Sequence, residues 1–252
     1  LHGGGAACGN NLSDYYGKLA RAWAGGGTSS SRLSNWLDPL NSGVLVLDTC
    51  ITPEDVAQIS NRRAHIVLAS NEAIHYSDQV PHVVLDLHRA GEIAGQHLVA
   101  LGHTCIGAIV GCGLAGRQIV RLGGFESALH AAGLTLLESN TRDTADTIAG
   151  GRAAAESLLE ANPGITAIFA TNDLMAYGAA QVLVERGVAV PQAMSLIGIT
   201  DIQLARDMRP GLTTVALHTE TMATMAINLL LDLIENPDNQ PRSVKVPAPL
   251  LV

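Results

Sequence analysis

From Gly43 onward the chain alternates short β-branched apolar runs with longer amphipathic stretches, the pattern of βα units around a parallel sheet. Residues 44–47, 64–69, 83–85, 106–110, 134–137, 167–170, 195–199 and 244–246 predict strands. Between them, residues 53–61, 89–101, 118–132, 149–161, 174–186 and 220–235 carry apolar positions at helical spacing and predict helices. Gly102, Gly133 and Gly187 follow three of these stretches, where a helix end favours a left-handed residue. The expected class is α/β. Eight strands with interleaved helices exceed one compact layer at this size, so the pattern predicts two doubly wound lobes. A ligand would sit between them, held by residues just after strands.

The first forty residues break this pattern. Residues 14–23 are amphipathic, with Leu19, Ala22 and Trp23 on one side, but no apolar strand precedes them. Residues 25–31, GGGTSSS, have the composition of a flexible linker. A strand expected there is absent, which leaves a missing piece of the natural chain or disorder as open readings.

Composition narrows the function classes. Over 252 residues, 47% apolar against 15% charged supplies a large core and excludes intrinsic disorder, and 3% aromatics leave that core to Ala, Val, Leu and Ile. Fifteen basic against 23 acidic residues give a net charge of −8, the wrong sign for a surface that tracks a phosphate backbone. No apolar stretch approaches the ~18 residues that span a bilayer, and the opening LHGGGAACGNN lacks the basic start and apolar core of an export signal. A cytoplasmic setting with no membrane partner is expected. Cys8, Cys50, Cys105 and Cys112 show no metal-ligand spacing and are expected as buried, reduced thiols.

Two constellations carry candidate chemistry. Gly111-Cys112-Gly113-Leu114-Ala115-Gly116 is a G-x-G-x-x-G directly after the 106–110 strand, with Glu138 after the next apolar run. As a dinucleotide fingerprint it would bring a pyrophosphate to a helix N-terminus and place Glu138 on the ribose. With 26 glycines in the chain, chance spacings are common, and the plainer reading is a strand-to-helix loop. The second constellation is Asp86 after VVL, Arg121 opening RLGGF, Asn172-Asp173 after AIFAT, and Asp201 after SLIGIT. Singly, each has a dull account as a helix cap or surface cover. Together they place carboxylate acceptors, a two-way amide and a forked guanidinium where ligand contacts belong, a set suited to a polyhydroxylated molecule. His218 falls near a crossing between the lobes. There is no G-x-S-x-G, no H-E-x-x-H and no paired histidine at metal spacing, so no catalytic residue, metal or cofactor is expected.

The pieces VVLD, AGEIAGQHLVALGHTCIGAIVG, RLGGFESALHAAGL, TAIFATNDLMAYGAAQVLVERGVAVPQAMSLIG and RPGLTTV resemble the effector-binding core of the lactose/galactose-repressor family of bacterial transcription regulators. The likeness runs from Gly43 to the end, with a weaker match at Tyr15-Tyr16. It implies two Rossmann-like lobes of the type I periplasmic-binding-protein kind, residues 1–85 plus 217–239 and residues 86–216 plus 240–252. It also implies effector contacts at Asp86, Arg121 and Asn172 in the second lobe, at Tyr15, Tyr16 and Ser70 in the first, and at His218 at the crossover. The tyrosines would face the apolar side of a sugar ring. After SLIG many members place an aromatic residue and then Asp; Ile199-Thr200-Asp201 shifts the carboxylate by one and looks more like the gluconate-repressor subgroup. A sugar or sugar-acid effector is therefore expected, with Arg121, assisted by Arg117, on an acid's carboxylate. The family's helix-turn-helix headpiece is not in this chain, so a homodimer would reach operator DNA only through such a headpiece. Effector binding would act by linkage and not by chemistry. Two other readings stay open: an extracytoplasmic solute-binding protein of a sugar transporter, and a dinucleotide-dependent enzyme.

Overall fold

The computed structural model describes residues 43–47, 65–70, 80–112, 117–236 and 243–252. In chain order come β1 (Val44–Leu47), β2 (Ile66–Ser70), β3 (His82–Leu85), α1 (Leu87–Ala100), β4 (Ile106–Gly111), α2 (Arg117–Ala131), β5 (Thr141–Thr144), α3 (Ile148–Ala161), β6 (Ala167–Ala170), α4 (Asp173–Glu185), β7 (Ser195–Thr200), α5 (Gln203–Asp207), β8 (Thr213–Ala216), α6 (Thr219–Glu235), β9 (Ser243–Val246) and β10 (Leu250–Leu251). They build two sheets, ordered β1-β2-β3-β9 and β10-β8-β7-β6-β4-β5. Strand β2 pairs in parallel with β1 and with β3. In the larger sheet the pairs are parallel except that β10 runs antiparallel along β8. The class is α/β, as the alternation of runs implies.

Among the described residues, contacts gather into two units. One holds β1, β2, most of β3, most of α6 and β9 up to Lys245; the other runs from Leu85 to Thr219 and from Val246 to Val252. In the first unit, β2 is buried along its whole length. Gly43 lies where a Cβ would come within 2.9 Å of Leu230 and Ile234 of α6. His82 is buried there with both ring nitrogens bonded, to Val80 O at 2.8 Å and Ser243 Oγ at 2.7 Å.

In the second unit, α1 packs on α2 and α3 on α4. The seams are built from glycines. A Cβ at Gly91 would collide with Arg121 O and one at Gly124 with His88 O, while Gly151 and Gly178 make the same kind of backbone approach between α3 and α4. The chain's two phenylalanines, Phe125 of α2 and Phe169 of β6, stack with centroids 4.1 Å apart and no exposed surface. From β4 the chain moves outward to β5, then back past β4 to β6 and on to β7. Right-handed crossovers therefore put α2 on one face of the sheet and α3 and α4 on the other. The direction of winding reverses between β4 and β6, the place where open α/β sheets bind ligands.

The structure corrects three expectations. No strand forms over residues 134–137. The strand is β5, made of the polar residues Thr141, Arg142, Asp143 and Thr144. It lies at the end of its sheet, where no neighbour demands apolar faces on both sides. Cys112 is exposed and Cys105 half-buried, so neither is a core thiol. Strands β8 and β10 and the short α5 add elements that the apolar runs do not mark. The expected left-handed glycines are present, with φ of 84° at Gly102, 75° at Gly133 and 69° at Gly187. The expected helix at 53–61, the stretch at 14–23, the glycine-serine run, Cys8 and Cys50 lie outside the described residues. No described helix is long and apolar enough to cross a membrane.

Candidate functional site

The carboxyl ends of β4, β5 and β6 converge on one polar network at the point where the winding reverses. Gly111 closes β4, and its N–H donates to Thr171 Oγ1 at 3.1 Å, just past β6. Asn172 caps α4: its Oδ1 accepts the Met175 N–H at 2.9 Å. That bond fixes the amide's orientation and turns Nδ2 toward Asp146, whose Oδ1 it meets at 2.8 Å. Gln118 Nε2 donates to the same oxygen at 2.9 Å. A Cβ on Gly111 would collide with Asp146 Oδ1, so glycine is what admits the carboxylate. Arg121 is 5% exposed, and its Nη1 donates to Thr171 O at 2.6 Å and to Gln118 Oε1 at 3.4 Å. Asp86 caps α1, accepting the Arg89 N–H at 3.0 Å, and is half-buried.

Of the residues expected at the site, the structure joins Arg121 and Asn172 through Gln118 and Asp146. Neither Gln118 nor Asp146 is marked in the sequence reading. Asp201 goes elsewhere. It sits at φ 61° after β7, its side chain is 5% exposed, and Arg206 grips both carboxylate oxygens, with Nε on Oδ1 at 2.8 Å. Ser70 is buried at the end of β2, and His218 is exposed just after β8. Tyr15 and Tyr16 lie outside the described residues, as does the side chain of Arg117.

The neighbouring loop is held by Asp173, which is 1% exposed. Thr214 Oγ1 donates to its Oδ1 at 2.7 Å and the Ile202 N–H to its Oδ2 at 3.1 Å, with further bonds from the Thr200 hydroxyl and the Asp201 N–H. Burial pushes its carboxyl above the ordinary value, and these donors draw it back. Thr200 and Asp201 have φ of 140° and 61°, backbone that costs roughly 1–3 kcal/mol per residue and persists because its surroundings enforce it. Asp173→Asn should therefore destabilise the unit by about 2 kcal/mol, because an amide either turns its NH₂ against the Ile202 N–H or, turned the other way, keeps that bond only by forcing the Thr214 hydroxyl to accept, and in both cases the charge-assisted bonds are lost. Urea unfolding checks this; an unchanged midpoint would show that Asp173 does not hold the loop.

Residues 113–116 of the G-x-G-x-x-G lie outside the described residues, and Gly111 and Glu138 give the dinucleotide reading no support. The space that Gly111 leaves open holds a carboxylate, where a pyrophosphate would need N–H donors. Glu138 lies in a 3₁₀ turn before β5, at the amino end of its sheet, far from a ribose partner's place after a strand.

Comparison with known proteins agrees with the fold. Residues 95–252 match the periplasmic binding protein-like domain family. The HTH-type transcriptional regulator DegA of Bacillus subtilis (strain 168) is 41% identical over 134 residues, covering 53% of this chain and 40% of that protein. The HTH-type transcriptional repressor PurR of Escherichia coli O1:K1 is 31% identical over 231 residues, 90% of this chain and 67% of that protein. A solved sugar-binding transcriptional regulator of the LacI family from Escherichia coli, complexed with phosphate, has a TM-score of 0.75 at 27% identity, covering 87% of this chain and 78% of that one. The chain spans about half the length of the first curated relatives it matches, from 40% to 57%. All of these relatives are regulators; none is a transport protein or an enzyme. With the doubly wound fold, the domain match and relatives of this identity and coverage in agreement, the chain belongs to the lactose/galactose-repressor (LacI/GalR) family of transcriptional regulators.

Proposed function

We propose that this chain is the effector-binding and dimerising part of a cytoplasmic bacterial regulator, whose hold on operator DNA changes when a small polyhydroxylated molecule binds. The observation that carries this reading is the network of Arg121, Gln118, Asp146 and Asn172 at the carboxyl ends of β4, β5 and β6. It offers fixed acceptors and donors at the one position in a doubly wound sheet where ligands bind. Asp86 lies at the start of the helix that packs on Arg121's own helix and is proposed as a further contact. Ser70, His218, Tyr15 and Tyr16 are proposed as contacts from the family likeness alone. A sugar is the favoured class because the solved relative is itself sugar-binding. No bond breaks in this mechanism. Binding shifts the balance between two states of the regulator by the difference in the ligand's affinity for them, and a homodimer transmits that shift to its DNA-binding segments.

Thermal unfolding against a panel of sugars, sugar acids, phosphosugars and nucleobases tests this. A ligand at a hundred times its Kd adds about 2.7 kcal/mol, which for a chain of this size raises the midpoint by roughly 5–10 °C. Such a rise with one chemical class, from a protein that elutes as a dimer, is the expected result. A monomer that no member of the panel stabilises would overturn the proposal.

A further inference from the structure

We infer that Asp146 sets the charge class of the ligand, admitting neutral polyhydroxylated molecules and rejecting the corresponding acids; the inference rests on the network being the effector site. Asp146 Oδ1 is occupied by two protein donors, Asn172 Nδ2 at 2.8 Å and Gln118 Nε2 at 2.9 Å. Those bonds hold the carboxylate in one orientation. Its other oxygen, Oδ2, accepts no hydrogen bond among the described residues; Asp146 is half-buried, and none of its oxygens is fully buried without a partner. Asp146 makes no ion pair among the described residues. Gln118 bridges Arg121 and Asp146, its Oε1 accepting from Arg121 Nη1 and its Nε2 donating to Asp146 Oδ1.

A hydroxyl of the ligand can donate to Oδ2 in a charge-assisted hydrogen bond. A ligand carboxylate or phosphate at the same place brings a second negative charge against one that no cation among the described residues touches, which selects against it.

Isothermal titration calorimetry with matched pairs decides it: glucose with gluconate, galactose with galactonate, ribose with ribonate, and cellobiose with cellobionate. For the pair that binds, the neutral member should bind at least tenfold more tightly. Asp146→Asn keeps Oδ1 for Asn172 and Gln118 and replaces Oδ2 by a donor. It should weaken the neutral sugar and narrow its preference over the acid by tenfold or more, and Asp146→Ser should narrow it likewise. An acid that binds the unaltered protein as tightly as its neutral partner, or a preference that survives in both variants, overturns the inference and leaves the effector reading standing. Failure of every pair to bind overturns the sugar reading and this inference with it.

Discussion

Gly91→Ala should lower the unfolding midpoint by roughly 4–8 °C, although alanine is the better helix former. In an exposed helix the exchange would gain about 1 kcal/mol. Here the new Cβ would collide with Arg121 O and lie 2.9 Å from Phe125 N, and both are backbone atoms of α2 that no rotamer change can move. The two helices must part, which also loosens the approach of Gly124 to His88 O and of Gly95 to Ala128, whose Cβ is 2.7 Å from where one on Gly95 would stand. Overpacking of this kind costs about 3 kcal/mol, and each kcal/mol shifts the midpoint of a protein this size by roughly 2–4 °C. The collision therefore outweighs the propensity. Gly123→Ala is the internal control: it lies in α2, the facing helix of the same seam, a Cβ there meets nothing within 4 Å, and it should stabilise by up to about 1 kcal/mol. Equal midpoints for the two variants would show that the seam tolerates separation.

The inner strands of the two sheets are legible in the sequence because they are buried on both faces. Residues 66–69, Ala167–Ala170 and the body of Ser195–Thr200 read as continuous apolar runs because a parallel sheet covers both sides of its inner strands. Strand β5 escapes this logic because it is an edge, and its TRDT sequence looks like a loop. The misplaced strand also bears on Glu138, which follows the apolar run at 134–137 and counts only as the ribose partner of the dinucleotide reading; the rule that ligand contacts follow strands starts from the strand's true end. Applied after the real strand, it arrives at Asp146. Arg121 and Asn172 were legible because their strands were. Asp201 satisfies the same rule and yet is taken up by Arg206, five residues on, a pairing that depends on left-handed backbone no local pattern announces. Gln118 was hidden for another reason: it reads as an ordinary polar position on a helix, and only the fold turns it toward Asp146.

Arg121→Ala should abolish measurable ligand binding, a loss of about a hundredfold or more, and should also cost stability, unlike removal of a surface arginine. The side chain is 5% exposed and its Nη1 holds Thr171 O at 2.6 Å, so truncation leaves a carbonyl at the end of β6 without its donor. Such an orphan costs roughly 1–3 kcal/mol, enough to lower the midpoint but not enough to unfold the protein at 25 °C. The binding loss has two sources. One is the guanidinium itself, since hydrogen bonds from a charged group contribute about 1.5–3 kcal/mol and each 1.4 kcal/mol is tenfold in affinity. The other is indirect: Gln118, released from Nη1, no longer presents its amide to Asp146 in a fixed direction. Arg121→Lys separates the two. Both bonds leave the one nitrogen Nη1, so an ammonium placed there can keep Thr171 O and Gln118 satisfied but lacks the remaining guanidinium N–H groups; this variant should retain most of the stability and still lose most of the affinity. Titrations at 25 °C, below the lowered midpoint, keep unfolding out of the measurement. Ordinary affinity in Arg121→Ala would mean that this network braces the sheet and that the ligand is held by other residues.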